Sequence, residues 1–176
     1  SMFISAHPTI NMTNLAGMEL LPTITGDIFI TEYLPSTNTS GAFPNGKWIE
    51  IVNNGTTIID VSGWYITNGK GDVLYFDPGT MVFNQSHSGV TEVNPGERRL
   101  MSMSNNFDLY DYYEHLVLRD SLGNIIDTAW HSNYFGDNVS MVRDYDNLGL
   151  AWVPSNWITP GAVSYTHLRA HETSRY

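Results

Sequence analysis

Glu32 and Glu50 are the carboxylates whose setting could support chemistry, because each sits inside a short run of alternating apolar residues, Ile28–Leu34 and Gly46–Asn54. If those runs adjoin, the two side chains would face each other like the acid and base of a glycoside hydrolase. The plainer reading is stronger: each Glu is a structural strand residue that binds backbone groups or a cation at the sheet end. No Ser lies in Gly-x-Ser-x-Gly, and His7, His87, His115 and His131 show no spacing to an Asp and a Ser that would make a triad. Gly69-Lys70-Gly71 reads as a hairpin turn rather than a phosphate cradle. The residues therefore argue against an enzyme.

Two loops gather side-chain oxygens of the kind a hard cation prefers, with Asp108 and Asp111 in one and Asp144 and Asp146 in the other. Calcium is the alternative reading for them, but neither follows the twelve-residue calcium-loop pattern, and solvated acidic loops without a cofactor are the plainer account. Aromatic residues offer a second kind of site. Phe107, Tyr110, Tyr112 and Tyr113 share one long loop, while Trp130, Tyr134 and Phe135 lie near another, so exposed rings would stack on sugars or anchor a protein partner. At least half of them are expected in core or rim packing.

Composition narrows the classes. The chain has 176 residues and 41% hydrophobic content, enough for one core with some chain to spare. Eighteen acidic residues stand against eight basic ones, a net charge of −10, so phosphate backbones are poor partners, and proteins, glycans or cations are better ones. No run reaches the ~18 apolar residues of a membrane helix, which predicts no membrane insertion. The absence of Cys removes disulfides and thiolate chemistry together. Five Asn-x-Ser/Thr sites begin at Asn11, Asn38, Asn54, Asn84 and Asn138, and they matter only in a source that glycosylates its surface proteins.

The elements that must position these residues are strands. Trp48, Glu50 and Val52 alternate with Ile49 and Ile51, Asn53-Asn54-Gly55 supplies a turn, and Asp60–Thr67 is expected to return beside the first run as its antiparallel partner. Trp48 and Trp64 would then anchor one core pair, with Trp64 buried beside the Gly63 turn. Further runs at 72–76, 80–83, 98–103, 115–119, 124–130, 139–143 and 151–153 are punctuated by Asp77-Pro78-Gly79, Asn94-Pro95-Gly96 and Asp120–Gly123. No window carries a helix period. The fold class is all-β, an antiparallel sandwich of about nine short strands.

Taken in order, these motifs resemble a lamin-tail domain: Ile28–Leu34, Gly46–Asn54, Asp60–Trp64, the turns at Tyr75–Thr80 and Asn94–Glu97, the hairpin Leu116–Asp127, and Trp152-Val153-Pro154 with Thr159-Pro160-Gly161. The resemblance covers residues 27–162 and implies an immunoglobulin-like β-sandwich. It further implies a prokaryotic exported or cell-surface setting, where such domains are modules beside nucleases, other hydrolases or adhesive repeats. It brings no catalytic motif. The expected function is thus a non-catalytic interaction or adhesion module, with carbohydrate binding through loop aromatics, or service as an accessory domain of a secreted hydrolase or nuclease, as alternatives. The stretches 82–93 and 105–114 are longer than the family's usual loops.

The ends read differently. Residues 1–26 hold Pro8, Pro22 and Gly26 among scattered apolar residues, as in a linker, or an arm that exchanges a strand with a neighbour's open edge. Residues 163–173 resemble a translated sequencing adapter, so 163–176 is expected to be a non-native tail on a metagenomic fragment, and the His167/His171 pair within it carries no metal site.

Overall fold

The computed structural model describes residues 26–41, 45–78, 80–81, 90–104, 106–144 and 151–160. The N-terminal arm, the tail, Asp146 and most of the 82–93 stretch lie outside them. Eleven strands form: β1 (Ile28–Leu34), β2 (Trp48–Asn53), β3 (Ile59–Asp60), β4 (Tyr65–Thr67), β5 (Val73–Tyr75), β6 (Glu92–Val93), β7 (Arg98–Ser102), β8 (Glu114–Arg119), β9 (Ile125–His131), β10 (Ser140–Asp144) and β11 (Ala151–Ser155). The excess over nine comes from the two-residue strands β3 and β6, too short to carry a period. Of the run expected at 80–83, the described part contributes a single bridge, Met81 to Met101.

The strands make a five-stranded sheet in the order β11-β10-β1-β2-β7, a four-stranded sheet β5-β4-β8-β9, and the small pair β3-β6, with every named pairing antiparallel. Ile30, Ile49, Ile51 and Met141 of the first sheet share one buried cluster with Ile66, Leu116, Leu118 and Ala129 of the second. That shared cluster makes the molecule an immunoglobulin-like sandwich.

One expectation fails instructively. The Trp48 strand and the Trp64 run are not partners: β2 pairs with β1 and β7, whereas β4 pairs with β5 and β8 in the opposite sheet. The chain is turned twice on the way. Buried Asn53 donates from Nδ2 to the carbonyls of Thr57 and Val93, and the amide of Gly55 donates back to its Oδ1. Asp60 Oδ1 then accepts the Ser62 amide, and Gly63 at φ +74° completes a turn that a Cβ would strain. The segment therefore crosses from sheet to sheet. Trp64 consequently packs half-buried on the rim of the core rather than inside it. Trp48 is fully buried on the other face of the first sheet, with Leu34 and Leu100.

A buried ion pair links the sheets. Asp127 on β9 meets Arg143 on β10, both nearly inaccessible, and the Arg143 guanidinium lies 4.5 Å from the centre of the Trp152 ring. The pair also serves the backbone. The register of β1 against β2 slips between Ile30 and Glu32, and the Ile30 amide donates to Asp127 Oδ2 at 2.8 Å while its carbonyl accepts from Arg143 Nε at 3.0 Å. Burial pushes the Asp127 carboxyl up to about 6, against the pull of Arg143 and of the Ile30 and Thr128 amides.

Asp127→Ala is therefore expected to cost ~3–5 kcal/mol by denaturant unfolding at neutral pH, because it strands a buried guanidinium. The double variant Asp127→Leu/Arg143→Met regains part of that loss, yet stays below the parent since the Ile30 amide and carbonyl lose their partners. The native carboxyl binds its proton more readily than the unfolded one, so its contribution is fully present below the ordinary pKa of 3.8 and is lost as pH rises through about 6. The double variant should lack that segment of the stability profile.

Candidate functional site

At one end of the sandwich a groove of about 440 Å³ is lined by Lys47, Lys70 and the loop residues 108–113. Buried side chains hold its walls. Phe107 and Leu109 plug the loop into the core at 2% and 1% exposure, so Phe107 leaves the set of binding rings: its flanking positions face solvent, and the loop needs an apolar anchor. Asn68, at the end of β4, donates from Nδ2 to Asp72 and to the Asp108 carbonyl, and its Oδ1 accepts the amides of Lys70 and Asp72. This closes the Gly69-Lys70-Gly71 turn, as expected from sequence, and ties it to the loop.

Glu114 is the groove's main clamp. Its Oε1 accepts the amides of Gly69 and His115 and its Oε2 that of Tyr110, so one buried carboxylate satisfies three backbone donors from the hairpin, the loop and β8. Burial raises its pKa, opposed by those three amides. A Cβ on Gly69 would come within 3.3 Å of Glu114 Oε1, so a side chain there would press on the carboxylate that accepts the Gly69 amide. Opposite Glu114 in register stands His131, whose Nε2 lies 3.2 Å from the Asp111 carbonyl and whose Nδ1 lies 2.9 Å from the Tyr33 hydroxyl. Burial lowers the His131 pKa, opposed by the Asp111 carbonyl.

The expected cation ligands are brought together only in part. Asp108 and Asp111 do converge, but on the Lys47 ammonium, at 3.2 and 3.3 Å, and the same nitrogen donates to the Leu109 carbonyl at 2.7 Å. The Lys47 amine thus sits between the two carboxylates. Asp144 is at the end of β10, in a different part of the fold, and among the described residues no three His, Asp or Glu gather to hold a metal. Lys70 lies over the Tyr110 ring, 3.8 Å from its centre, and its pKa is raised by that hydroxyl.

The aromatic candidates separate into three places. Tyr110, Tyr112 and Tyr113 line the groove, with Tyr112 and Tyr113 exposed by 70% and 56%. Tyr134 approaches from the next loop, its ring 5.3 Å from that of Tyr112. Trp130 is elsewhere, half-exposed on β9 opposite His115.

Glu32 and Glu50 do stand directly opposite each other in β1 and β2. Each is closed to solvent and committed. Glu32 accepts the Thr159 amide and hydroxyl, and Glu50 takes Arg98 Nη1 at 2.5 Å and the Thr31 hydroxyl. Burial raises the Glu32 pKa. Neither carboxylate is open to solvent, and both are bonded within the first sheet and to the segment that follows β11.

A family model described as Lamin Tail Domain matches residues 22–147. The chain belongs to the lamin tail domain family. No curated protein and no solved structure matches it. In this lamin tail domain the fold continues beyond the matched span, since β11 pairs along β10 and Thr159 returns to Glu32. Lys47, Lys70, Asn68 and Glu114 were not singled out as site residues by sequence. One signal was available: the chain contains two Lys, and both line the groove.

Glu114→Gln keeps the size but turns an NH2 group toward backbone donors. The expected result is a loss of ~1–3 kcal/mol, the cost of leaving buried donors unbonded, with faster amide hydrogen exchange at Gly69, Tyr110 and His115. Unchanged exchange at those three amides would remove Glu114 from its clamping role.

Proposed function

We propose that this lamin tail domain is a non-catalytic interaction module of a larger exported or cell-surface prokaryotic protein, and that it holds a protein or glycan partner at the tyrosine-lined groove. The observation that carries this reading is the contrast between two sets of residues. The carboxylates and imidazole that could do acid–base work, Glu32, Glu50, Glu114, Asp127 and His131, are buried and bonded within the fold. The exposed rings of Tyr112, Tyr113 and Tyr134 instead meet solvent beside a groove with its own charged pair groups. Such a surface recognises and does not transform.

Carbohydrate binding is the second reading, favoured by the Tyr112–Tyr134 ring pair next to Asp108, Asp111 and Lys47, which together offer a stacking face and both donors and acceptors for hydroxyl groups. An accessory role beside a secreted hydrolase or nuclease would use the same groove. Nucleic acid is a poor ligand. Lys47 is held by two Asp, Arg98 by Glu50, Arg143 by Asp127, and Arg119 Nη1 donates to the Gly123 carbonyl, leaving little basic surface on an acidic domain.

A glycan array probed with the full chain and with Tyr112→Ala/Tyr113→Ala tests the reading. Any signal lost in the variant, with an unchanged melting temperature, supports it, and an array profile identical to that of the parent removes the groove from glycan binding. In a mobility-shift titration the chain is expected to show no affinity for duplex or single-stranded DNA at physiological salt. Micromolar binding that weakens steeply with salt would contradict this.

A further inference from the structure

The outward face of the four-stranded sheet, β5-β4-β8-β9, lies outside the groove. Its strands β4, β5, β8 and β9 contain two carboxylates, Glu114 and Asp127, and both point inward. In a chain with eighteen acidic residues this leaves an outward sheet face without negative charge. Alternation instead sends out Tyr65 and Tyr75 at one corner and Trp130 at the opposite one, with Val117, Thr67 and Thr128 between them.

The rings form flat surfaces. Tyr65 lies across the neighbouring strand far enough for its hydroxyl to sit 3.5 Å from where a Cβ on Gly123 would stand, in the β8–β9 turn, and the Tyr75 ring, 57% exposed, is centred 5.6 Å from it. Trp130 is half-exposed two strands and four residues from Tyr65, which sets their Cα positions roughly 16 Å apart along a diagonal. The Thr67 and Thr128 hydroxyls and the His115 imidazole lie on or beside that diagonal.

We infer that this face binds an extended, neutral polysaccharide chain, whose pyranose rings stack on Tyr65/Tyr75 at one end and on Trp130 at the other. The inference rests on the binding-module reading and places the ligand outside the groove. Charge selects the neutral class: the domain's net charge of −10 repels polyanions, and a face without carboxylates gives cations no counter-charge. Shape separates a glycan from a protein, because protein interfaces concentrate energy in side chains sunk into pockets, and the pocket described here lies at the loop end of the sandwich. Flat, spaced rings with hydroxyls between them suit a ribbon of sugars whose C–H faces stack and whose edges hydrogen-bond. A second copy is disfavoured, since Arg119 and His115 on each face would find no carboxylate on the other.

Sedimentation binding of the full chain to insoluble cellulose, chitin and β-1,3-glucan tests the inference, using Trp130→Ala, Tyr75→Ala and the groove variant Tyr112→Ala/Tyr113→Ala. The replaced side chains are exposed, so melting temperatures should hold. Depletion by at least one polysaccharide is expected, insensitive to molar salt, weakened at least tenfold by Trp130→Ala or Tyr75→Ala and unaffected by the groove variant. No depletion by any of the three overturns it. Loss in the groove variant alone overturns it while leaving the binding-module reading intact, and so does a dimer in analytical ultracentrifugation that Tyr75→Ala dissolves, which would assign the face to a second copy.

Discussion

The contact between Asp127 and Arg143 is the constraint from which much of this sandwich follows. Two sheets that share only aliphatic contacts can slide, whereas a guanidinium and a carboxylate sealed between them fix a single relative position. Because the same two groups bond the amide and carbonyl of Ile30, they also fix where β1 departs from regular pairing. The irregularity and the ion pair are one device. Removing the charges would leave unpaired backbone groups in the core, and regularising β1 would take from the charges their bonds to Ile30.

Buried carboxylates recur as organisers throughout the molecule. Glu114 gathers three amides from separate segments, Glu32 captures the segment after β11, and Glu50 holds Arg98. Glu114 and Glu32 accept backbone amides where strands end, and Glu50 ties the side chains of Arg98 and Thr31 across the sheet. The acidic character of the chain is thus partly structural, and the groove's exposed tyrosines project from a loop that is rigidly held. Pre-organised rings of this kind lose little conformational freedom when they bind.

The sequence made the fold class and strand order legible because both are written locally, in alternation and turn residues. Ile49 and Ile51 face one side and Trp48 the other, as their spacing implies. Partnership was less legible. Nothing in Asp60–Thr67 distinguishes a hairpin return from a crossing to the opposite sheet, since that choice depends on Asn53 bonding the Val93 carbonyl forty residues away. The site was half visible for the same reason. Aromatic and acidic residues cluster in sequence around Tyr110, but that Lys47 would fill the space between Asp108 and Asp111, and that Phe107 would turn inward, are consequences of contacts some sixty residues apart and of core burial.

The order of strands in the five-stranded sheet has a consequence in time. β1 lies between β2 and β10, so on the ribosome it acquires its second neighbour only after residue 140 has emerged, and the bond to Glu32 waits for Thr159, 127 residues later. Until then Ile28–Leu34, buried on both faces in the finished domain, has one side of its backbone and much of its apolar surface exposed. Long-range closure of this kind slows folding and prolongs the interval in which an unpaired strand can meet the wrong partner. A nascent chain of this domain therefore needs β10 before β1 is safe.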